Sequence, residues 1–482
     1  MAQAAQVNEE HLLRPQVLSQ FSVLAQSVAQ IAPSAAAATS VALIASSAGN
    51  GAWVTWAICT VALLLVAYGI VRLSRRFVTT GGLYALAARS WGPVGGFLAG
   101  GGLAIVNGVA GGPALTIGFA IYFSAFLGQF GIGDNAWIFY VLLLANLAVA
   151  AWFAYHDIRV SSQVLLVMEA ITIALITILM LIVLGKHVGN LFDAKQLQLQ
   201  GANPHGIFLG LVLAVYSFGG FESCTSLGQE AKNPRRTIPI AVVVSIIVVG
   251  IFFLFNSYVQ PLGFEGSKLT IISSSAPLND LASLAGVGFF QYLINLGVSA
   301  SMFSCTLAIF NSTCRMWFTL GREGFMPRAV GRSHPTHRTP HVAVVSLAVL
   351  WFVILTVASL SRAKPLDMYG YLGTIAGLGF ILAYFAVTIG ALVYLRRHRE
   401  IGLVGYAVTV IAALLLVAVV VNSVYPAPPF PYNAINYAFG AVVVALLIAY
   451  AVMRTRYPTR LAAMGTSVAS DTALVQPDAS PS

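Results

Sequence analysis

The 482 residues are 58% hydrophobic and only 8% charged, with a mean hydropathy of +0.85, whereas soluble domains carry about 25% charged residues. That balance excludes a soluble enzyme as the bulk of the chain. The net charge of +10 would suit nucleic acid, but in a membrane protein Lys and Arg gather in cytoplasmic loops for reasons of topology, so no nucleic-acid partner is expected.

Apolar runs long enough to cross about 30 Å of hydrocarbon, about 18 to 20 residues each, recur along the whole chain. In order they cover 18–44, 53–71, 95–127, 136–154, 160–184, 207–227, 238–258, 288–319, 342–360, 368–395, 404–421 and 435–453. This predicts an all-α integral membrane protein of about twelve transmembrane helices with the lipid bilayer as its main partner. A strand-built barrel would alternate polar and apolar residues, and stretches such as 241–254 do not. With the amino terminus inside, 20 of the 25 basic residues fall in cytoplasmic segments, leaving Lys186, Lys195, Lys268, Arg362 and Lys364 outside. The bias predicts both termini in the cytoplasm and a multi-pass location in the cell inner (plasma) membrane. Residues 1–17 and 456–482 read as cytoplasmic tails, the second disordered. No cleavable signal peptide is expected, because the first apolar run is too long and lacks a basic flank and cleavage site.

Two spans are interrupted in corresponding ways. The first carries Ile31-Ala32-Pro33-Ser34 and the sixth Ser217-Phe218-Gly219-Gly220-Phe221. Proline removes a backbone donor and glycine pairs favour unwinding, and unpaired backbone at that depth persists only where it is buried or lines a cavity. A kink or close helix packing would explain either break singly. The pair, five spans apart, points to a transporter binding site between two repeats, 18–184 and 205–395, with 402–455 peripheral.

Of the fifteen acidic residues, only Glu169 and Glu222 sit deep within spans. Such acids need a cavity or partners and are by default functional, so proton coupling is expected of one or both; a permanently protonated carboxyl bonded to a neighbouring helix is the alternative. Cys59, Cys224, Cys305 and Cys314 lie in spans without zinc spacing, and every histidine sits in a tail, loop or span end. No cofactor, metal or catalytic constellation is expected, and the chain does not read as an enzyme. Gly95, Gly96, Gly100, Gly101 and Gly102 predict close helix contact rather than a phosphate loop, which would need a lysine.

Ser217-Phe218-Gly219-Gly220-Phe221-Glu222, then Glu230-Ala231-Lys232-Asn233-Pro234 and Thr237-Ile238-Pro239, resemble the sixth-helix signature of the amino acid-polyamine-organocation permeases. Gly81-Gly82-Leu83-Tyr84 and Gly321-Arg322-Glu323-Gly324-Phe325-Met326-Pro327 support the resemblance. It implies a LeuT-type fold of five plus five inverted helices with two peripheral ones, working by alternating access. It also implies a substrate carboxylate on the backbone of Ile31, Ala32, Pro33, Ser34 and Ala35, and an ammonium on carbonyls near Ser217 and Phe218. Gly219, Gly220 and Phe221 complete the expected site. Phe218 is similar in position to an occluding aromatic of relatives, with lipid-facing packing as the alternative. Two departures stand out: Ala-Pro-Ser-Ala replaces the glycine-rich first-helix motif, and Glu169 stands about where some proton-coupled relatives have lysine. The expected function is proton-coupled amino acid import, with an amine or polyamine carrier or exchanger as alternative and a channel or sensor behind both.

Overall fold

The computed structural model describes residues 18–79, 81–132, 135–156, 162–228, 230–323, 326–334, 339–361 and 363–462. The amino-terminal tail 1–17, and the charge assignments of Arg14, Arg159, Arg338 and Arg362, lie outside them.

Helices α1 (Gln20–Ile31) and α2 (Pro33–Ala48) make the first span, and α3 (Ala52–Ser74) the second. A short α4 (Gly82–Trp91) leads into the third span, built from α5 (Pro93–Ile105), a π-helical turn Val106–Ala110 and α6 (Gly111–Gly128). Next come α7 (Ala136–Tyr155), α8 (Ser162–Lys186), α9 (Ala194–Leu197), α10 (Pro204–Phe218) with the 3-10 turn Ser223–Leu227, and α11 (Pro234–Gly263). The chain continues through α12 (Pro277–Leu284), α13 (Phe290–Glu323), α14 (His341–Leu360), α15 (Pro365–Arg397), α16 (Leu403–Val424), α17 (Tyr432–Arg456) and α18 (Pro458–Ala462). Pro33, Pro93, Pro204, Pro234, Pro277 and Pro365 stand in opening turns, where the missing N–H costs nothing.

Eleven segments among the described residues are long and apolar enough to cross a membrane, and the first, Gln20–Ser74, is 55 residues long. It crosses twice. Ser40 and Trp56, sixteen positions apart, meet adjacent residues: Ser217 Oγ donates to Ser40 Oγ at 2.8 Å, and the Trp56 ring lies 6.1 Å from that of Phe218. A continuous helix would hold them about 24 Å apart. The chain reverses at Gly49, whose φ of +59° suits glycine and where a Cβ would lie 2.6 Å from the Gly201 carbonyl oxygen. With that reversal the described residues hold twelve segments long and apolar enough to cross, in keeping with the apolar runs.

In the most apolar windows of α10 with its 3-10 turn and of α15, 78% and 67% of residues are buried, against 6% for α17. The first two therefore lie in the interior and α17 on the outside of the bundle. The glycines of the third span do what their spacing predicts: α5 and α15 cross backbone on backbone, a Cβ on Gly102 meeting Gly379 O at 2.5 Å and one on Gly379 meeting Gly102 O at 2.8 Å. At the basic face, Arg76 grips Glu400 by Nε at 3.1 Å and Nη2 at 2.7 Å. The Arg76 side chain is 54% exposed, so Arg76→Gln should lower stability by less than about 1 kcal/mol in a thermal melt. The predicted carboxy-terminal tail begins later than read, since Arg456 closes α17 and Pro458–Ala462 form a further short helix; residues 463–482 lie outside those described.

Candidate functional site

The first break is a single residue wide. Ala32 adopts the left-handed region, φ 49° and ψ 64°, and donates its N–H to Ala29 O; it ends α1 and starts α2. Pro33 enforces this, because it has no N–H with which to continue α1. The break is steadied from α13 by Cys305, whose thiol donates to Ala29 O at 3.7 Å and Gln30 O at 3.6 Å.

Helix α2 begins with its donors engaged. Ser34 N–H donates to Glu169 Oε1 at 3.0 Å and Ser34 Oγ to Glu169 Oε2 at 3.0 Å. The N–H groups of Ala35 and Ala36 return to Ala32 O at 3.0 and 3.4 Å. Glu169 of α8 is only 3% exposed. A half-helix amino terminus carries a partial positive charge and suits an acceptor such as a carboxyl group, and here that group belongs to the protein. The expectation of a substrate carboxylate on Ile31 to Ala35 therefore meets a first turn already occupied by Glu169.

The second break opens at Phe218. Gly219 N–H folds back to Tyr216 O at 2.9 Å, and Gly220 takes φ +112°, which L side chains rarely adopt. Glu222, 7% exposed, accepts at Oε2 from Gly220 N–H at 3.2 Å and from Tyr384 of α15 at 3.0 Å. Tyr384→Phe removes one of these bonds and leaves the other. It should cost about 1.5 kcal/mol in a melt and slow turnover severalfold in a flux assay.

The two breaks touch. A Cβ on Gly220 would lie 2.8 Å from both C and O of Gln30, and Ser27 Oγ donates to Phe221 O at 3.4 Å. Outside the helices, Leu18 N–H donates to Glu230 O at 2.8 Å and Lys232 N–H to Leu18 O at 2.9 Å, tying the lead of α1 to the segment that follows the second break.

Phe218 lies inside the helix bundle. It is fully buried, with Trp56 of α3 at 6.1 Å and Phe253 of α11 at 5.1 Å, so its ring packs helices rather than facing lipid. Tyr216, two positions earlier and about 200° around the helix, points elsewhere: its hydroxyl donates to Gly111 O at 3.1 Å, and its ring lies 6.1 Å from Tyr369 of α15. Tyr216, Tyr369, Phe380 and Tyr384 escape the sequence reading, although Phe380 and Tyr384, four apart on α15 and stacked at 5.5 Å, leave a trace of it in their spacing. Among the described residues no group of three or more His, Cys, Asp or Glu is placed to hold a metal ion.

Residues 18–448 match the family described as amino acid permease. The chain is 22% identical to the branched-chain amino acid permease BcaP of Bacillus subtilis, covering 74% of this chain and 76% of that one. It is 25% identical to the low-affinity putrescine importer PlaP of Escherichia coli over 61% and 65%, and 23% identical to the glutamate/serine transporter AimA of Bacillus subtilis over 74% and 67%.

Proposed function

We propose that this chain, which belongs to the amino acid permease family, is a secondary transporter that imports amino acids or related amines by alternating access, driven by protons through Glu169. It resides in the plasma membrane with both termini in the cytoplasm, and Glu222 serves the second break as Glu169 serves the first. One observation carries the reading: Glu169, on α8, holds the opening turn of α2 by both carboxyl oxygens. A proton on Glu169 weakens two charge-assisted bonds, each worth about 1.5–3 kcal/mol, enough to shift a two-state equilibrium about tenfold or more. The element so released is the opening turn of α2 at the break, and α2 is free to move against α8. Relatives named for branched-chain amino acids, glutamate and serine, and putrescine support a small nitrogenous substrate.

The test is uptake into liposomes reconstituted with the full chain. An inside-alkaline gradient should drive saturable accumulation that a protonophore collapses. Equal uptake with and without the gradient would reject proton coupling, and uptake demanding a counter-substrate inside would replace import by exchange.

A further inference from the structure

We infer that the substrate is an organic cation without a carboxylate, a small aliphatic amine or diamine, and that Glu169 supplies from within the protein the anion a zwitterionic amino acid would bring. The inference rests on the transporter reading above and narrows its substrate.

A helix leaves its first four N–H groups without internal partners, and these are what a half-helix offers an anion. For α2, whose N-cap is Ala32, they belong to positions 32 to 35. Ala32 N–H donates to Ala29 O; Pro33 has no N–H; Ser34 N–H and Oγ are held by Glu169; Ala35 N–H is closed onto Ala32 O. An incoming carboxylate finds these donors taken by a carboxyl group of the protein. A glycine-rich break would bend to present N–H groups, and the Pro33 ring removes both that donor and that freedom.

The second break has the opposite polarity. Helix α10 ends at Phe218, so its carbonyl end, the negative pole of the helix dipole, points into the junction. Glu222 follows four residues later and is buried. Aromatic rings surround this end: Phe380 stands where a Cβ on Gly219 would fall 2.2 Å from its Cε2, Tyr384 stacks on Phe380, and Phe221 lies 5.3 Å from Tyr384. Acceptors, an acid and ring faces are what an ammonium selects. Both breaks therefore carry an acid, and donors for a substrate anion are already engaged at the first.

The experiment pairs each amino acid with the amine left by removing its carboxyl: valine with isobutylamine, and ornithine with 1,4-diaminobutane. Counterflow into proteoliposomes, with every compound as competitor at one fixed pH, reads preference independently of proton drive. We expect the amine of each pair to compete at a concentration at least about tenfold lower, equivalent to about 1.4 kcal/mol. Glu169→Ala, which frees the Ser34 donors, should shrink or invert that ratio; the wild-type preference alone tests the inference if this variant does not fold. Valine or ornithine competing as well as its amine overturns the inference and leaves the transporter standing. Counterflow of no member of either pair, nor of any of the twenty amino acids, overturns the transporter reading and this inference with it.

Discussion

Glu169→Gln should abolish gradient-driven accumulation while sparing exchange. The substitution is isosteric: the amide oxygen still accepts from Ser34 N–H, and the amide NH2 can donate to Ser34 Oγ, so both contacts now made at 3.0 Å persist. What disappears is the proton. One proton moving down a one-unit gradient supplies about 1.4 kcal/mol, a tenfold accumulation, and the variant should fall to the level set by equilibration alone. Counterflow at saturating substrate needs no net proton movement and should continue. Glu169→Ala differs in kind, because it leaves Ser34 N–H buried without its acceptor, at about 1–3 kcal/mol, and its melting temperature should drop with its transport. Tenfold accumulation retained by the glutamine variant would remove Glu169 from the coupling step.

The features legible in the sequence are those that lipid dictates. A spanning helix must be apolar throughout, so twelve crossings follow from runs of residues, and a proline or glycine pair inside such a run announces a break. Glu169 is legible as an acid in a place where acids are rare. Its partner is not: Ser34 lies 135 positions away, and no local pattern says which span a buried carboxyl will face. The same gap hides the neighbours of Phe218. Two aromatics two positions apart on α10 point to opposite sides, and only the neighbours, Trp56 and Phe253 for one and Gly111 and Tyr369 for the other, decide which is packing and which turns toward the third span and α15. The helices α4 and α12 also escape notice, being ten and eight residues long, too short to span a bilayer and polar enough to read as loop.

Gly220→Ala should cost more than any other single methyl at the junction of the breaks, since two penalties fall on one atom. The backbone there has φ +112°, and holding an L residue in so sparsely populated a region costs about 1–3 kcal/mol. The new Cβ would also lie 2.8 Å from the carbonyl carbon and oxygen of Gln30. These are backbone atoms of the last turn of α1 and cannot rotate aside as a side chain would, so overpacking adds about 1–3 kcal/mol. Gly131→Ala separates the two penalties. Its φ is +78° and nothing lies within 4 Å of the added Cβ, so it pays only for the backbone. In parallel melts the Gly131 variant should lose about 1–2 kcal/mol and transport normally. The Gly220 variant should lose about 2–6 kcal/mol and all measurable flux, because forcing the breaks apart also pulls Gly220 N–H from Glu222. Equal losses in the two variants would mean that the contact between the breaks contributes nothing, and that each broken helix works independently of the other.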